Sequence, residues 1–106
     1  MFDAFEISLQ AVSSLRAPVR ALQIRNADLA RQVKRAGSSI TLNIAEGRRR
    51  TGKDRLHLWR VAAGSAGEVR AALQTAVAWD DLSPELIEEP LEFLDRVIAM
   101  LWKMTH

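Results

Sequence analysis

Residues 26–47 read NADLARQVKRAGSSITLNIAEG, and this stretch decides the fold. Leu29, Val33, Ala36, Ile40, Asn43 and Gly47 recur at alternating steps of four and three. That alternation is the seam a bundle helix turns toward its neighbours. Arg31, Lys34 and Arg35 fall off the seam and are expected to face outward. Gly47 reads as a stop, because glycine is the usual residue just past a helix end. The spacing therefore predicts a helix over residues 26–46.

Working outward, three more segments carry helical periodicity and none carries sustained strand alternation. Before the central stretch, Phe5, Leu9, Val12, Leu15, Val19 and Leu22 form one stripe over residues 3–22. Pro18 lies inside this segment and should kink or interrupt it. After it, Thr51 followed by Asp54 reads as a capping box opening a third helix that runs to Trp79. Trp59, Ala62, Ala66, Val69, Leu73 and Ala76 make its apolar face. Ser83-Pro84 supplies a cap and a first-turn proline for a fourth helix, with Pro90 as a second candidate start. Its stripe is Ile87, Leu91, Leu94, Ile98 and Leu101. Four helices with short connections pack as antiparallel neighbours. The expected architecture is all-α, an antiparallel up-down-up-down four-helix bundle forming one domain over residues 1–106. Leu42, Leu56, Leu58 and Trp102 fall off the main stripes. They mark either a second buried face, such as a subunit interface, or scattered exposed apolar side chains.

Composition removes several function classes. The chain has no cysteine, so a disulfide framework and a thiolate metal site are both out of reach. His57 and His106 lie far apart with no carboxylates spaced around them, so neither a metal nor another cofactor is expected. The first residues, Met1 to Glu6, carry two acids before any base, unlike a secretory signal. No uncharged apolar run approaches the ~20 residues of a membrane span. A soluble, cytoplasmic protein with no membrane partner is the expectation.

Charge is distributed unevenly. Between Arg16 and Arg60 stand twelve bases and three acids, a local charge of +9 in a chain whose net charge is +2. Between Asp80 and Asp95 stand seven acids and no base. Arg48, Arg49, Arg50, Lys53 and Arg55 crowd a loop and a helix start, where anions are favoured. With Arg31, Lys34 and Arg35 they form the candidate nucleic-acid surface, since each phosphate neutralised adds counterion-release affinity. The alternatives are a solvated charged face, or pairing with the acidic fourth helix of another subunit. No Phe, Tyr or Trp interleaves the basic loop, so stacking on single-stranded bases finds no support there.

Two further patterns invite a catalytic reading and fail it. Gly47-Arg48-Arg49-Arg50-Thr51-Gly52-Lys53 has the glycine and lysine spacing of a P-loop. Asp54 then stands where the hydroxyl for magnesium is required, and a helix precedes Gly47 where a strand is needed. Asn43, Glu46, Ser65 and Glu68 lie on or near two facing seams. Glu46 is followed by Gly47-Arg48-Arg49 rather than completing the Glu-x-x-His of carboxylate-bridged bundles. A structural polar network fixing helix register is the expected role, with Asn43 as its buried member. No nucleophile–base set emerges, so no enzymatic activity is expected.

The run from Gln32 to Gly47, QVKRAGSSITLNIAEG, resembles the signature of the four-helix bundle proteins of the 23S rRNA intervening-sequence type. Its most specific part is Asn43-Ile44-Ala45-Glu46-Gly47, and Ala62-Ala63-Gly64-Ser65-Ala66-Gly67-Glu68 resembles a second signature in the same order. Leu56 and Trp59 stand where the family carries bulky residues near the start of the third helix. The resemblance spans roughly residues 5–102 and implies a bacterial four-helix bundle that assembles as a homopentamer. Some members are encoded within insertions in ribosomal RNA genes. Others resemble the accessory variability protein of diversity-generating retroelements, which binds nucleic acid through a basic surface and partners a reverse transcriptase. The expectation is a non-enzymatic homo-oligomeric accessory protein that holds RNA or DNA by phosphate contacts. Its alternative is an oligomeric adaptor docking a protein such as a reverse transcriptase.

Overall fold

Asn26 ends one helix and begins the next. Its backbone N–H donates to the Leu22 carbonyl at 2.7 Å, while its Oδ1 accepts from the Leu29 N–H at 3.1 Å. The second bond satisfies a donor that the helix start leaves open. The side-chain amide also donates to Asp81 Oδ2 at 3.0 Å, tying this turn to the end of a distant helix. The computed structural model describes residues 3–106, so the reading of Met1 and Phe2 lies outside it. The elements are α1 (Asp3–Ser14), α2 (Arg16–Arg25), α3 (Ala27–Arg48), α4 (Gly52–Ala78), a 3-10 turn (Pro84–Ile87) and α5 (Glu88–Thr105). No strand occurs among the described residues.

The segment over 3–22 is broken in two, and it extends to Arg25. Pro18 has no N–H to offer Ser14, and its ring crowds that carbonyl, so the break falls at Leu15, upstream of the proline itself. The chain then restarts as α2, where Val19 N donates to Leu15 O at 2.9 Å. Together α1 and α2 act as one bent wall of the bundle.

Cross-helix contacts give the topology. Between α3 and α4, Arg35 meets Glu68, Ser39 meets Ser65, and Ile44 meets Trp59. One position rises as the other falls, the mark of an antiparallel pair. Arg70 with Asp95 and Arg60 with Thr105 give α4 and α5 the same relation. Leu15 against Gly37 and Phe5 against Arg48 give it to α1 and α3. Packing of α1 on α5 closes the ring, so the expected up-down-up-down bundle is the fold. It measures 42 × 21 × 20 Å, and its long dimension matches the ~40 Å length of the 27-residue α4.

The core follows the sequence stripes with shifts of phase. In α3, Ile44 is fully buried and Asn43 is half-buried at the flank. In α1, the deepest positions are Ala4, Ser8 and Ala11, while Phe5 and Val12 are half-buried and Leu9 is exposed. Small residues let the first wall approach closely, and the larger side chains pack along its edges. In α5, Pro90, Leu94, Val97, Leu101 and Thr105 face inward, with Leu91 and Ile98 beside them. Of the off-stripe residues, Leu56 and Leu58 are half-buried, whereas Leu42 and Trp102 stay exposed.

Three cap expectations are corrected. Gly47 does not stop its helix, because α3 runs through it to Arg48. Its role is close approach: a Cβ there would lie 2.5 Å from Trp59 Nε1. Thr51 takes the N-cap place of α4 with an extended backbone but makes no side-chain capping bond. Ser83 likewise caps without a side-chain bond, and Pro84 opens a 3-10 turn. The regular helix α5 begins at Glu88, with Pro90 in its first turn. The end of α4 is a Schellman motif. Asp80 N donates to Val77 O at 3.0 Å and Asp81 N to Ala76 O at 2.8 Å. Asp80 takes the left-handed conformation (φ 64°) that this motif needs and that glycine adopts most readily.

Two outcomes are expected in thermal and denaturant unfolding. Gly47→Ala should cost about 2–3 kcal/mol by overpacking against the indole. Combined with Trp59→Leu it should cost clearly less than the two changes added, since the clash is then gone. Asp80→Gly should stabilise the protein by about 0.5–1 kcal/mol by relieving the left-handed aspartate.

Candidate nucleic-acid interface

The basic residues between Arg16 and Arg60 differ in how far the fold has already engaged them. Arg55 is the most committed. It sits in the first turn of α4, where the short loop brings it beneath the end of α3. Its Nε donates to Gly47 O at 3.1 Å and its Nη2 to Arg48 O at 3.0 Å. These carbonyls belong to the last turn of α3, where acceptors lack intrahelical partners and the helix dipole favours a cation. The guanidinium also lies 5.2 Å from the Trp59 ring centre. Arg55 therefore works as a cross-helix cap rather than as a group free to reach a ligand.

Other members of the cluster are engaged in part. Arg50 Nε pairs with Glu46 Oε2 at 3.0 Å across one helical turn. Arg48 lies 5.8 Å from the Phe5 ring centre, linking α3 to α1. Arg31 pairs with Asp28 on the same helix, and Arg35 pairs with Glu68 on α4. All these pairs are solvent-exposed and contribute little stability. Arg49, Lys53 and Lys34 are exposed and make no ion pair among the described residues. Arg48–Arg50 and Lys53 crown the α3–α4 end of the bundle. Arg31, Lys34 and Arg35 lie about 20 Å along α3 from them. The fold thus sets the eight candidate residues in two groups rather than one patch.

The expected polar network is also divided. Asn43 Nδ2 donates to Ser39 O at 2.8 Å and to Ser39 Oγ at 3.0 Å. Ser65 Oγ donates to Ser39 Oγ at 2.8 Å, the bond that crosses from α4 to α3. Glu46 and Glu68 stand apart from this group, each turned to the arginine named above. The reason is phase: Glu46 and Glu68 point to the outer flank of the α3–α4 contact, where a carboxylate keeps its water. Ser39 is the hub that sequence reading missed. It lies off the seam, and its only signal is the four-residue step to Asn43.

Sequence reading also passed over a groove between α2 and α3. It has a volume of about 300 Å³ and is lined by Arg16, Arg20 and Lys34 above an apolar floor that includes Val12, Val19 and Val33. Gly37 leaves room for Leu15 at its base, since a Cβ there would lie 3.2 Å from Leu15 Cδ1. Arg16 and Arg20 were legible only as members of the basic half. Nothing in their local spacing sets them across from Lys34. No described helix is long and apolar enough to cross a membrane.

A closed four-helix bundle with one strongly basic side defines the structural class. Residues 4–103 match the family model of the 23S rRNA-intervening sequence proteins, and the chain belongs to that family. A solved structure of a protein of unknown function from the S23 ribosomal protein family of Bacteroides thetaiotaomicron superposes with a TM-score of 0.85. The two share 18% identity over 96% of this chain and 97% of that one, so the likeness is one of fold. No curated protein sequence matches the chain.

Arg55→Ala should lower stability by about 0.5–1.5 kcal/mol, because it removes the cap from Arg48 O and one of the donors to Gly47 O, which keeps the Arg50 N–H at 3.1 Å. Lys53→Ala, at the exposed neighbouring end of the same turn, should shift it by less than about 0.5 kcal/mol. Denaturant midpoints measured at equal m-value distinguish the two.

Proposed function

We propose that this protein is a non-enzymatic, homo-oligomeric accessory factor that holds RNA or DNA through phosphate contacts. The observation that carries the reading is the +9 charge between Arg16 and Arg60, on side chains that mostly remain at the surface. Membership of a family named for sequences that intervene in 23S rRNA makes RNA the first polymer to test. Arg49 and Lys53, with Arg48 and Arg50 beside them, supply the bundle end. Arg31, Lys34 and Arg35 supply the face of α3. Contacts of this kind read charge rather than base sequence. Self-association would repeat the surface and raise avidity on a long polyanion. A homopentamer is the assembly that the family resemblance implies. Exposed Leu42, Trp79 and Trp102, at 66%, 71% and 60%, offer apolar area for such contacts.

The same apolar area supports a second reading, an adaptor that docks a protein partner. A reverse transcriptase would be that partner if the chain shares the retroelement role of some relatives. On this reading the basic surface orients the partner or its nucleic acid, without chemistry of its own.

Filter binding or fluorescence anisotropy with RNA should show affinity that falls steeply with salt and varies little with sequence. Arg49→Glu combined with Lys53→Glu should weaken it at least tenfold, to the order expected for losing and repelling two phosphate contacts. Helicity by circular dichroism should be unchanged, because neither side chain is part of the core. Light scattering on the eluting protein should give a discrete oligomer, with five subunits expected. Absence of affinity for RNA and DNA at low salt would refute the nucleic-acid reading and leave the adaptor. A monomer at micromolar concentration would refute self-association.

A further inference from the structure

We infer that the groove between α2 and α3 is a track for single-stranded nucleic acid, with Arg16, Arg20 and Lys34 on its phosphates. This rests on the polyanion-binding reading above and adds to it a site and a preference between strand forms. Three observations carry it. Arg16 and Arg20 lie one helical turn apart on α2, and Lys34 faces them from α3, so cations line both walls. None of the three makes an ion pair among the described residues, in contrast to Arg31, Arg35 and Arg50. No acid lines the groove, so its field is of one sign.

The floor sets the strand form. Between the cationic walls, half-buried Val12 and Val19 present apolar surface within the volume of about 300 Å³, with Val33 fully buried beneath them. A duplex keeps its base faces stacked inside and turns phosphates, sugars and base edges outward, so it can touch the rim but cannot lay a base face on the floor. A single strand can lay a sugar and the face of a base on that surface while its phosphates meet the walls. This is the arrangement of a basic groove that tracks a backbone, here with aliphatic rather than aromatic support. Aliphatic contact does not discriminate between bases, so the preference is for strandedness and not for sequence. Beyond Lys34 and Ser38 a shallow depression carries Arg31, Arg35 and also Asp28, and there the arginines are already paired with Asp28 and Glu68, so the acid-free track ends at Lys34.

The test compares a uridine oligomer with a blunt RNA duplex, each titrated by anisotropy at one salt concentration. The proteins are wild type, Arg16→Glu/Arg20→Glu and Arg49→Glu/Lys53→Glu. The groove variant should lose at least about tenfold in affinity for the single strand and less than about threefold for the duplex. The loop variant should lose similar amounts for both. Inorganic polyphosphate, which carries the charge without sugar or base, should displace the single strand poorly at equal phosphate concentration. Light scattering should give the groove variant the wild-type subunit number. Should the double substitution unfold the protein, Lys34→Gln on the opposite wall repeats the comparison with a milder change.

If wild type binds neither these RNAs nor DNA strands of the same two forms, the polyanion reading fails and the track falls with it. If wild type binds but the groove variant loses both forms alike, or neither, the track alone is overturned. Equal displacement by polyphosphate would overturn the role of the floor and hence the preference for single strands. An altered subunit number would assign the groove to a contact between copies of the chain and overturn it as a nucleic-acid site.

Discussion

The indole of Trp59 fills the space that any side chain at position 47 would occupy, and much of the molecule depends on that approach. Its Nε1–H donates to Ile44 O at 3.2 Å, a carbonyl in the penultimate turn of α3. The bond, the absent Cβ at Gly47 and the capping by Arg55 all act at the same corner. They draw the start of α4 against the end of α3, although the loop between the two helices is only three residues long. From there the two longest helices run antiparallel, with Ala36 and Ile40 on one and Ala62, Ala66 and Val69 on the other buried in the common core. Small residues permit short separation, and short separation lets the Ser39–Ser65 bond form without a gap.

The corner also determines what the basic loop is able to do. An arginine whose donors already meet carbonyl oxygens has little left for a phosphate, and moving it would give up two hydrogen bonds at the end of α3. Arg55 is in that position. Its neighbours differ in degree: an exposed pair such as Arg50–Glu46 can open at small cost, because water screens it on every side. A phosphate therefore competes easily for Arg50 and poorly for Arg55. Density of arginine along the chain overstates the number of groups that a ligand can recruit.

The bundle was legible in the sequence to the level of helix number, order and direction. The four-three alternation from Leu29 to Gly47 is a property of burial on one side, and burial on one side is what packs helices. Exact facing was less legible where large and small residues compete for the inside. Ser8 is fully buried and Leu9 is exposed because the first wall must lie close to its neighbours, a constraint set by the partners and not by hydropathy. Gly47 was misread for a similar reason. Glycine ends helices and also admits close contacts, and only the position of Trp59 separates the two uses. The polar quartet was legible as polar residues on facing helices but not as bonds. A hydrogen bond needs agreement within a few tenths of an ångström, and a helical repeat defines angle only coarsely. The α2–α3 groove was invisible because the cations on its two walls lie fourteen or more residues apart in sequence.

Charge segregation then gives the molecule a direction. Glu85, Glu88, Glu89 and Glu92 gather at the start of α5, where the positive end of the helix dipole favours them. In the ring of helices, α5 lies diagonally across from α3, since each touches α1 and α4. The acidic edge and the cationic face of α3 are thus set on opposite sides of a bundle about 20 Å thick, while α2 lies on the wall between them and touches the 3-10 turn that carries Glu85. That separation is more than twice the screening length at physiological ionic strength, so the two fields do not cancel. A polyanion approaching the acidic start of α5 is repelled and one approaching the face of α3 is drawn in. The same opposition makes the two sides complementary to each other, so copies of the chain meeting head to tail would compete with any polyanion for the basic face. Which association prevails is decided by salt: a polyanion gains from the release of many counterions, whereas a contact between two protein faces releases few. Low ionic strength strengthens both kinds of charge contact, and an assembly that survives high ionic strength must rest on apolar contact rather than on these charges.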